Sequence, residues 1–170
     1  MKQTSDKETQ FVAVTDQYKE VIAKVCYMYA SSAAPFDDLY QEVLINLWQG
    51  IDGFRGESKI STWIYRTAIN TCITWHRRND RHSGRNTLRL DELLAEPADS
   101  PSGRELLEEY RELYRLINKL GPIDKALITL WLDEKTYDEI ALIMGLSKGN
   151  VAVKMHRAKE KLSKLAETEA

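Results

Sequence analysis

Residues 136–165 constrain the fold more than any other part of the chain, because they carry the signals for two helices joined by a tight turn. Thr136 and Glu139 have the spacing of a capping box, which predicts a helix start. Gly145 readily adopts the positive φ that ends a helix in a tight turn. Ser147 is a favourable N-cap for the next helix. The segment therefore predicts a helix-turn-helix.

The second helix of this motif has an apolar inner face and a basic outer face. Its inner stripe consists of Val151, Met155, Ala158, Leu162 and Leu165. Residues 147–164 contain six Lys or Arg and one acid. Such a helix suits the major groove of duplex DNA, which is lined by phosphates. The alternative is a helical hairpin with a solvated basic face; we favour DNA binding.

The charge of the chain is unevenly distributed, although its formal net charge is only −2. Residues 54–89 contain eight Lys or Arg and two acids, whereas residues 91–112 contain eight acids and two Arg. Two basic patches are therefore separated by an acidic stretch. This local pattern is compatible with a nucleic-acid partner, which the total charge alone would disfavour.

Helical periodicity runs through the first half of the chain, and no strand-type alternation occurs. Thr15 or Asp16 is the predicted cap of one helix. Asp38 with Gln41 resembles a capping box for the next. A third, long helix is predicted to end near Arg78.

Pro, Gly and Ser concentrate in residues 79–103, which predicts a linker with one short helical turn near Leu90–Leu94. Further helices are predicted from Glu105 and over Ile123–Leu132, ahead of the helix-turn-helix. The predicted architecture is all-α. Two small helical domains, at residues 10–80 and 104–166, are joined by a flexible linker at residues 81–103.

The sequence lacks the signals that are typical of several functional classes. Cys26 and Cys72 lie far apart, and no Cys or His cluster has metal-ligand spacing. We expect two buried thiols, no metal site and no cofactor. No Gly-rich phosphate loop, nucleophile elbow or paired-carboxylate site occurs, so we expect no enzyme activity. No stretch is long and apolar enough for a membrane span, and no signal-peptide core is present, which predicts a cytoplasmic protein without membrane insertion.

Two groups of motifs resemble the extracytoplasmic-function sigma factors, which are subunits of bacterial RNA polymerase. The motifs similar to their region 2 are Asp37–Trp48, Phe54–Ser58 and Thr62–Asn70. The motifs similar to their region 4 are Leu120–Pro122, Tyr137–Ala141, Gly145–Ser147 and Arg157–Glu160. The resemblance covers about residues 10–80 and 105–165, in the family order. It implies a promoter-specificity subunit that binds core RNA polymerase, recognises promoter DNA and promotes strand opening.

The resemblance assigns one predicted helix to polymerase binding. The residues concerned are Asp38, Gln41, Glu42, Asn46 and Trp48. Acids and amides around an apolar helix suit a basic, amphipathic partner. The alternatives are that Asp38 and Gln41 only cap the helix, and that Trp48 only packs in the core.

The following loop and helix are assigned to the minus-ten promoter element. The residues are Phe54, Arg55, Lys59, Trp63, Tyr65, Arg66, Asn70, Arg77 and Arg78. Strand opening requires aromatic or amide pockets for unstacked bases and cations for the single-stranded backbone. Asn70 matches a family position that contacts a flipped base. Trp63 is equally compatible with core packing.

The helix-turn-helix is assigned to the minus-thirty-five element. The candidate residues are Ser147, Lys148, Asn150, Lys154, His156 and Arg157. Arg and Lys are able to contact guanine edges, and Asn an adenine edge, although the cations are also able to bind phosphate alone. Ala152 and Val153 depart from the polar residues common in relatives, which leaves contacts with thymine methyl groups as one alternative.

The implied partners are core RNA polymerase and promoter DNA, both as duplex and as the nontemplate single strand. An anti-sigma factor is a further candidate partner. The alternative function is a stand-alone helix-turn-helix regulator that binds duplex DNA unaided. Such a regulator would not need the Asp38–Trp48 motif, the Phe54–Ser58 loop or the aromatic minus-ten helix.

Overall fold

The computed structural model describes residues 2–79, the N-terminal unit, and residues 111–170, the C-terminal unit. Every regular element in these two ranges is helical, which confirms the all-α prediction. In chain order the α-helices are α1 (Lys2–Gln17), α2 (Lys19–Tyr29), α3 (Phe36–Gly50), α4 (Ile60–Asn79), α5 (111–117), α6 (Pro122–Leu132), α7 (Tyr137–Met144) and α8 (Lys148–Glu169). A 3-10 turn, Ile51–Gly53, follows α3. The predicted linker 81–103 and the helical turn near Leu90–Leu94 lie outside the described residues.

The local signals of the helix-turn-helix are confirmed. Thr136 Oγ1 accepts from the Glu139 N–H at 3.2 Å, and Glu139 Oε2 accepts from the Thr136 N–H at 2.8 Å. This hydrogen bond from the Thr136 backbone lowers the pKa of the Glu139 carboxyl. Gly145 ends α7 with φ +66°, and Ser147 Oγ accepts from the Asn150 N–H at 3.2 Å. Both helices are thus fixed by short-range hydrogen bonds.

Two predicted helix starts are wrong. Neither Thr15 nor Asp16 begins a helix, because both lie inside α1 and the next helix begins at Lys19. The Thr15 hydroxyl donates to Phe11 O at 2.8 Å. The helix α3 begins at Phe36, after Pro35, and no side chain in the described part of the sequence caps it. Asp38 therefore lies inside the first turn, exposed to solvent, and does not form a capping box with Gln41.

The helix α4 lies at the centre of the molecule, packed against α2 and α3 of its own unit and against α6 and α7 of the C-terminal unit. Ile64, Ala68 and Cys72 on α4 are completely buried. The rest of the core comes from the apolar faces of the surrounding helices, including Ile22, Leu39, Leu47, Leu127, Ile128, Ile140 and Met155. Each fully buried Leu or Ile contributes about 1.5–3 kcal/mol relative to an exposed one.

Cys26 and Cys72 are both buried and unoxidised, as predicted. A hydrogen bond to Cys26, together with burial, raises the pKa of the Cys72 thiol. Because the thiolate is the reactive form, Cys72 is a poor nucleophile at neutral pH.

Lys125 is an unusual member of the core, since only 8% of its surface is exposed. Its ammonium lies 5.2 Å from the centre of the Tyr29 ring, across the boundary between the two units. Burial lowers the pKa of Lys125 to about 8, and the nearby Cys72 opposes that shift only in part. A cation is therefore partly desolvated between α2, α4 and α6.

We expect Lys125→Met to remove a pH dependence of stability. Because the pKa is lower in the fold, the unfolded chain binds more protons from about pH 8 to 10.5, and the free energy of unfolding rises with pH in that window. The contribution of Lys125 to the stability of the wild type should increase by about 2 kcal/mol between pH 7 and 9.5, measured as the difference from the variant, because the raised pKa of the Cys72 thiol acts in the opposite direction in both proteins. The variant should lose this rise and be more stable at pH 7, as measured by urea denaturation.

The matched control for that change is Lys19→Met, since Lys19 is well exposed at the start of α2. It should retain the wild-type rise in stability. Persistence of the full rise in Lys125→Met would show that another group is responsible.

The C-terminus of α6 stores backbone strain at Glu134, which has φ +58°. The Lys135 N–H donates to Leu130 O at 3.1 Å and the Glu134 N–H to Trp131 O at 3.0 Å, which is the Schellman pattern. Glycine normally occupies this left-handed position because a side chain is disfavoured there.

We expect Glu134→Gly to raise the free energy of unfolding by about 1 kcal/mol, because it relieves this strain. Urea denaturation at pH 7 measures the change. Glu160→Gly is the matched control, because Glu160 lies within α8, where glycine should destabilise by about 1 kcal/mol. Equal losses of stability in both variants would contradict the assignment of strain to Glu134.

Candidate polymerase and DNA interfaces

One outward face of α3 carries acids, amides and an exposed aliphatic side chain. Asp38 and Gln41 are exposed, and Glu42 is half-buried. Ile45, which the sequence analysis missed, lies on the same face at helical spacing and is 49% exposed. An apolar side chain among acids on the solvent side of a helix was the signal that could have identified it. This face combines charge with an apolar anchor.

Asn46 and Trp48 lie away from the centre of that face. Trp48 is half-buried, its ring edge-on to Phe11 at 5.2 Å, with the Lys7 ammonium 4.5 Å from the ring centre. Asn46 Nδ2 donates to Thr71 Oγ1 of α4 at 2.9 Å. The packing alternative for Trp48 thus has direct structural support, and Asn46 faces the next helix.

The loop between the 3-10 turn and α4 forms an aromatic cleft of about 430 Å³. Phe54 and Trp63 line it with ring centres 5.4 Å apart, and Arg55 lies at its rim, exposed. A Cβ on Gly50 would lie 3.2 Å from Trp63 Cζ2, so glycine permits the close approach of the indole. Gly56 turns the loop with φ +72°. Trp63 is therefore half-buried, with part of its ring available in the cleft.

A second, polar groove of about 380 Å³ lies between α3 and α4. Its lining includes Glu42, Asn46, Asn70, Thr74, Trp75 and Arg78. Asn70 is exposed there, and Trp75 Nε1 is a buried donor without a hydrogen-bond partner among the described residues. The structure thus brings Asn46, assigned to polymerase binding, next to Asn70, assigned to the minus-ten element.

The predicted minus-ten cations are exposed, but the predicted tyrosine is not. Arg55, Lys59, Arg66, Arg77 and Arg78 all face solvent. Tyr65, in contrast, is only 6% exposed, and its hydroxyl donates to Asp133 Oδ2 of the C-terminal unit at 2.8 Å. In this structure Tyr65 therefore lies apart from the exposed candidate minus-ten residues, because its ring packs between the two units.

Most candidate residues of α8 lie on its solvent side. Asn150, Lys154 and Arg157 are exposed. Lys148 Nζ lies 3.1 Å from Asp138 Oδ2, and His156 Nε2 lies 3.7 Å from Glu160 Oε1. The hydroxyl of Ser147 is engaged in capping.

Two exposed apolar side chains accompany these polar groups. Val153 on α8 is 50% exposed, and Leu142 on α7, which the sequence analysis missed, is 59% exposed. The solvent side of the helix-turn-helix therefore offers both hydrogen-bonding groups and methyl groups.

Within residues 2–79 and 111–170, no three His, Cys, Asp or Glu side chains converge in a way that would hold a metal ion. No helix in the described part of the chain is long and apolar enough to cross a membrane.

Two family models match the chain. The model of sigma-70 region 2 matches residues 14–82, and the model of sigma-70 region 4 matches residues 110–162. Together the two matches take in most of the chain and follow the two structural units.

The individual relatives are sigma factors as well. The ECF RNA polymerase sigma-E factor of Escherichia coli is 32% identical over 155 residues, covering 85% of this chain and 80% of the relative. The ECF sigma factor SigG of Mycobacterium tuberculosis is 35% identical over 103 residues, but the match spans only 26% of that protein. The fold resembles the sigma factor RpoE of Bartonella quintana, solved with the anti-sigma factor NepR, with a TM-score of 0.70, 17% identity and coverage of 97% of this chain and 99% of that chain.

The two family models, in this order, and the alignment with sigma-E along most of both chains agree with the motifs found in the sequence. The chain belongs to the extracytoplasmic-function sigma factors of bacterial RNA polymerase.

Proposed function

We propose that this chain binds core RNA polymerase, recognises promoter DNA and promotes strand opening at the start of transcription. The observation that carries the proposal is the surface of α4. It joins an aromatic cleft at Trp63 to a polar groove at Asn70, with exposed arginines alongside. Such a surface suits unstacked bases and a single-stranded backbone, which a regulator limited to duplex DNA does not need.

Polymerase binding is assigned to the outward face of α3. Asp38, Gln41 and Glu42 supply the charge and polarity that guide encounter with a basic partner, and Ile45 supplies an apolar anchor. Trp48 stabilises the position of α3 through its contact with Phe11 of α1.

Promoter contacts are divided between the two predicted domains. Residues 10–80 bind the minus-ten element. The aromatic cleft at Trp63 binds an unstacked base, and Asn70 contacts the edge of a base. Residues 104–166 place α8 in the major groove of the minus-thirty-five element, where Asn150 and Lys154 are exposed for base contact. Residues 81–103 serve as the connection.

The remaining assignments follow from this role. The chain works as a dissociable subunit in the cytoplasm, without a catalytic site or cofactor of its own. The RpoE structure that it resembles contains an anti-sigma factor, and a partner of that type is proposed here also. A stand-alone regulator is the second candidate, and tight binding to promoter duplex without polymerase would favour it.

We expect the double substitution Gln41→Ala with Glu42→Ala to weaken the complex with core polymerase at least about tenfold, because two contacts of the docking face are lost. Affinity is measured by titrating labelled protein with core enzyme in the absence of DNA.

The matched control replaces Gln17 and Glu20, an exposed amide and acid on α1 and α2, by Ala. It should bind like the wild type. Failure of the wild type to bind core enzyme at micromolar concentration would overturn the proposed function.

Asn70→Ala should leave core binding intact but reduce open complexes and relax the preference at one minus-ten base. The expected loss is about 1–3 kcal/mol at that base. Permanganate footprints on promoters that differ at single minus-ten positions measure both effects. Gln10→Ala, which removes an exposed amide from α1, is the control. An unchanged bubble and unchanged base preference in Asn70→Ala would remove Asn70 from the minus-ten site.

A further inference from the structure

Asp133, at the C-terminal end of α6, joins the two structural units through its side chain. The side chain is only 9% exposed. Asp133 Oδ2 accepts from the Tyr65 hydroxyl of α4 at 2.8 Å, and Oδ1 forms an ion pair with Lys24 of α2. Both partners belong to the N-terminal unit, so one carboxylate receives two donors across the boundary. Charge-assisted hydrogen bonds of this kind are about twice as strong as neutral ones.

The position of this carboxylate is fixed by the turn that contains it. The Asp133 N–H donates to Thr129 O at 3.0 Å, and the next residue is the strained Glu134. Lys135, one position further, places its ammonium 5.2 Å from the centre of the Tyr65 ring. The turn therefore presents a carboxylate and a cation to the same tyrosine, one to its hydroxyl and one to its ring.

This arrangement also brings two cations of the proposed minus-ten set against α7 and the turn of the helix-turn-helix. A Cβ on Gly145, in the turn of the helix-turn-helix, would lie 3.7 Å from the Arg66 guanidinium of α4. Lys59 Nζ lies 3.8 Å from Glu139 Oε1 of α7. Both cations belong to the proposed minus-ten set, whereas Gly145 ends α7 and lies in the turn that leads to α8.

Two promoter elements that are one or more duplex turns apart are separated by at least about 34–36 Å. A protein whose minus-ten helix touches the turn before its minus-thirty-five helix does not match that spacing. Engagement of both elements therefore requires the two units to separate, which breaks the contacts of Asp133.

We propose that Asp133 is an intramolecular latch that holds this chain in a closed, promoter-incompetent state through Tyr65 and Lys24. This inference rests on the proposed function, because it concerns the regulation of the same two DNA surfaces. Opening releases Tyr65 and separates Arg66 from the helix-turn-helix. Promoter DNA binds the open state, so the apparent affinity for promoter DNA is proportional to the fraction of chains that are open.

The test uses the full-length chain with Asp133→Asn, which keeps the size of the side chain but removes its charge. The closed-to-open ratio should fall at least about tenfold, because a buried charged partner is lost. Small-angle scattering should show a larger radius of gyration than for the wild type. Asp16→Asn removes an exposed acid from α1 and is the matched control, expected to scatter like the wild type.

Tyr65→Phe is the second variant, since it removes only the hydroxyl and keeps the ring in place. It should also expand the chain, by less than Asp133→Asn because the Lys24 ion pair remains. Helical content measured by circular dichroism should stay at the wild-type value in both variants. Wild-type dimensions in both variants, or expansion accompanied by loss of helix, would overturn the latch.

A transcription assay with limiting protein tests the latch and the proposed function independently of each other. Asp133→Asn should support several-fold more promoter-dependent transcript than the wild type with core polymerase. If the variant opens but neither protein supports transcription, the closed state is supported and the proposed function fails. If the wild type is active and both variants show its dimensions and activity, the function stands and the latch is overturned.

Discussion

The structure depends on the burial of α4 between two sets of helices. A helix of 20 residues is about 30 Å long, and this one is covered by α2 and α3 on one side and by α6 and α7 on the other. Ile64, Ala68 and Cys72 are completely inaccessible as a result. Only a limited strip of α4 stays open to solvent, and it contains Arg66 and Asn70. The same helix is thus the centre of the core and the proposed reader of single-stranded DNA.

The boundary between the two units differs in chemistry from the core within each unit. It contains the Tyr29 hydroxyl donating to Pro122 O at 2.6 Å, the Asp133 contacts and the buried ammonium of Lys125. Groups of this kind are costly to bury, and each contact is exchangeable for water when the surfaces part. Interfaces between domains that move are typically more polar than a core. The boundary therefore has the composition of a contact that can open.

Local sequence signals predicted those features that depend on neighbouring residues alone. The caps at Thr136 and Ser147 and the turn at Gly145 were correct because their hydrogen bonds join residues three or four positions apart. The start of α3 was wrong because that helix begins directly after Pro35 and has no capping side chain among the described residues. Phe36 stacks on Tyr27 of α2 with ring centres 4.1 Å apart, which a search for capping residues does not register.

By itself the sequence determined the all-α class, the helix-turn-helix and the two groups of motifs that identify the family, since these rest on periodicity and local spacing. Tertiary structure alone decided which side chains are available for function. Tyr65 and Asn70 are five positions apart on one helix, yet the first is buried against Asp133 and the second is exposed. Helical periodicity specifies the faces of a helix, whereas packing between the two units decides which of those faces is covered.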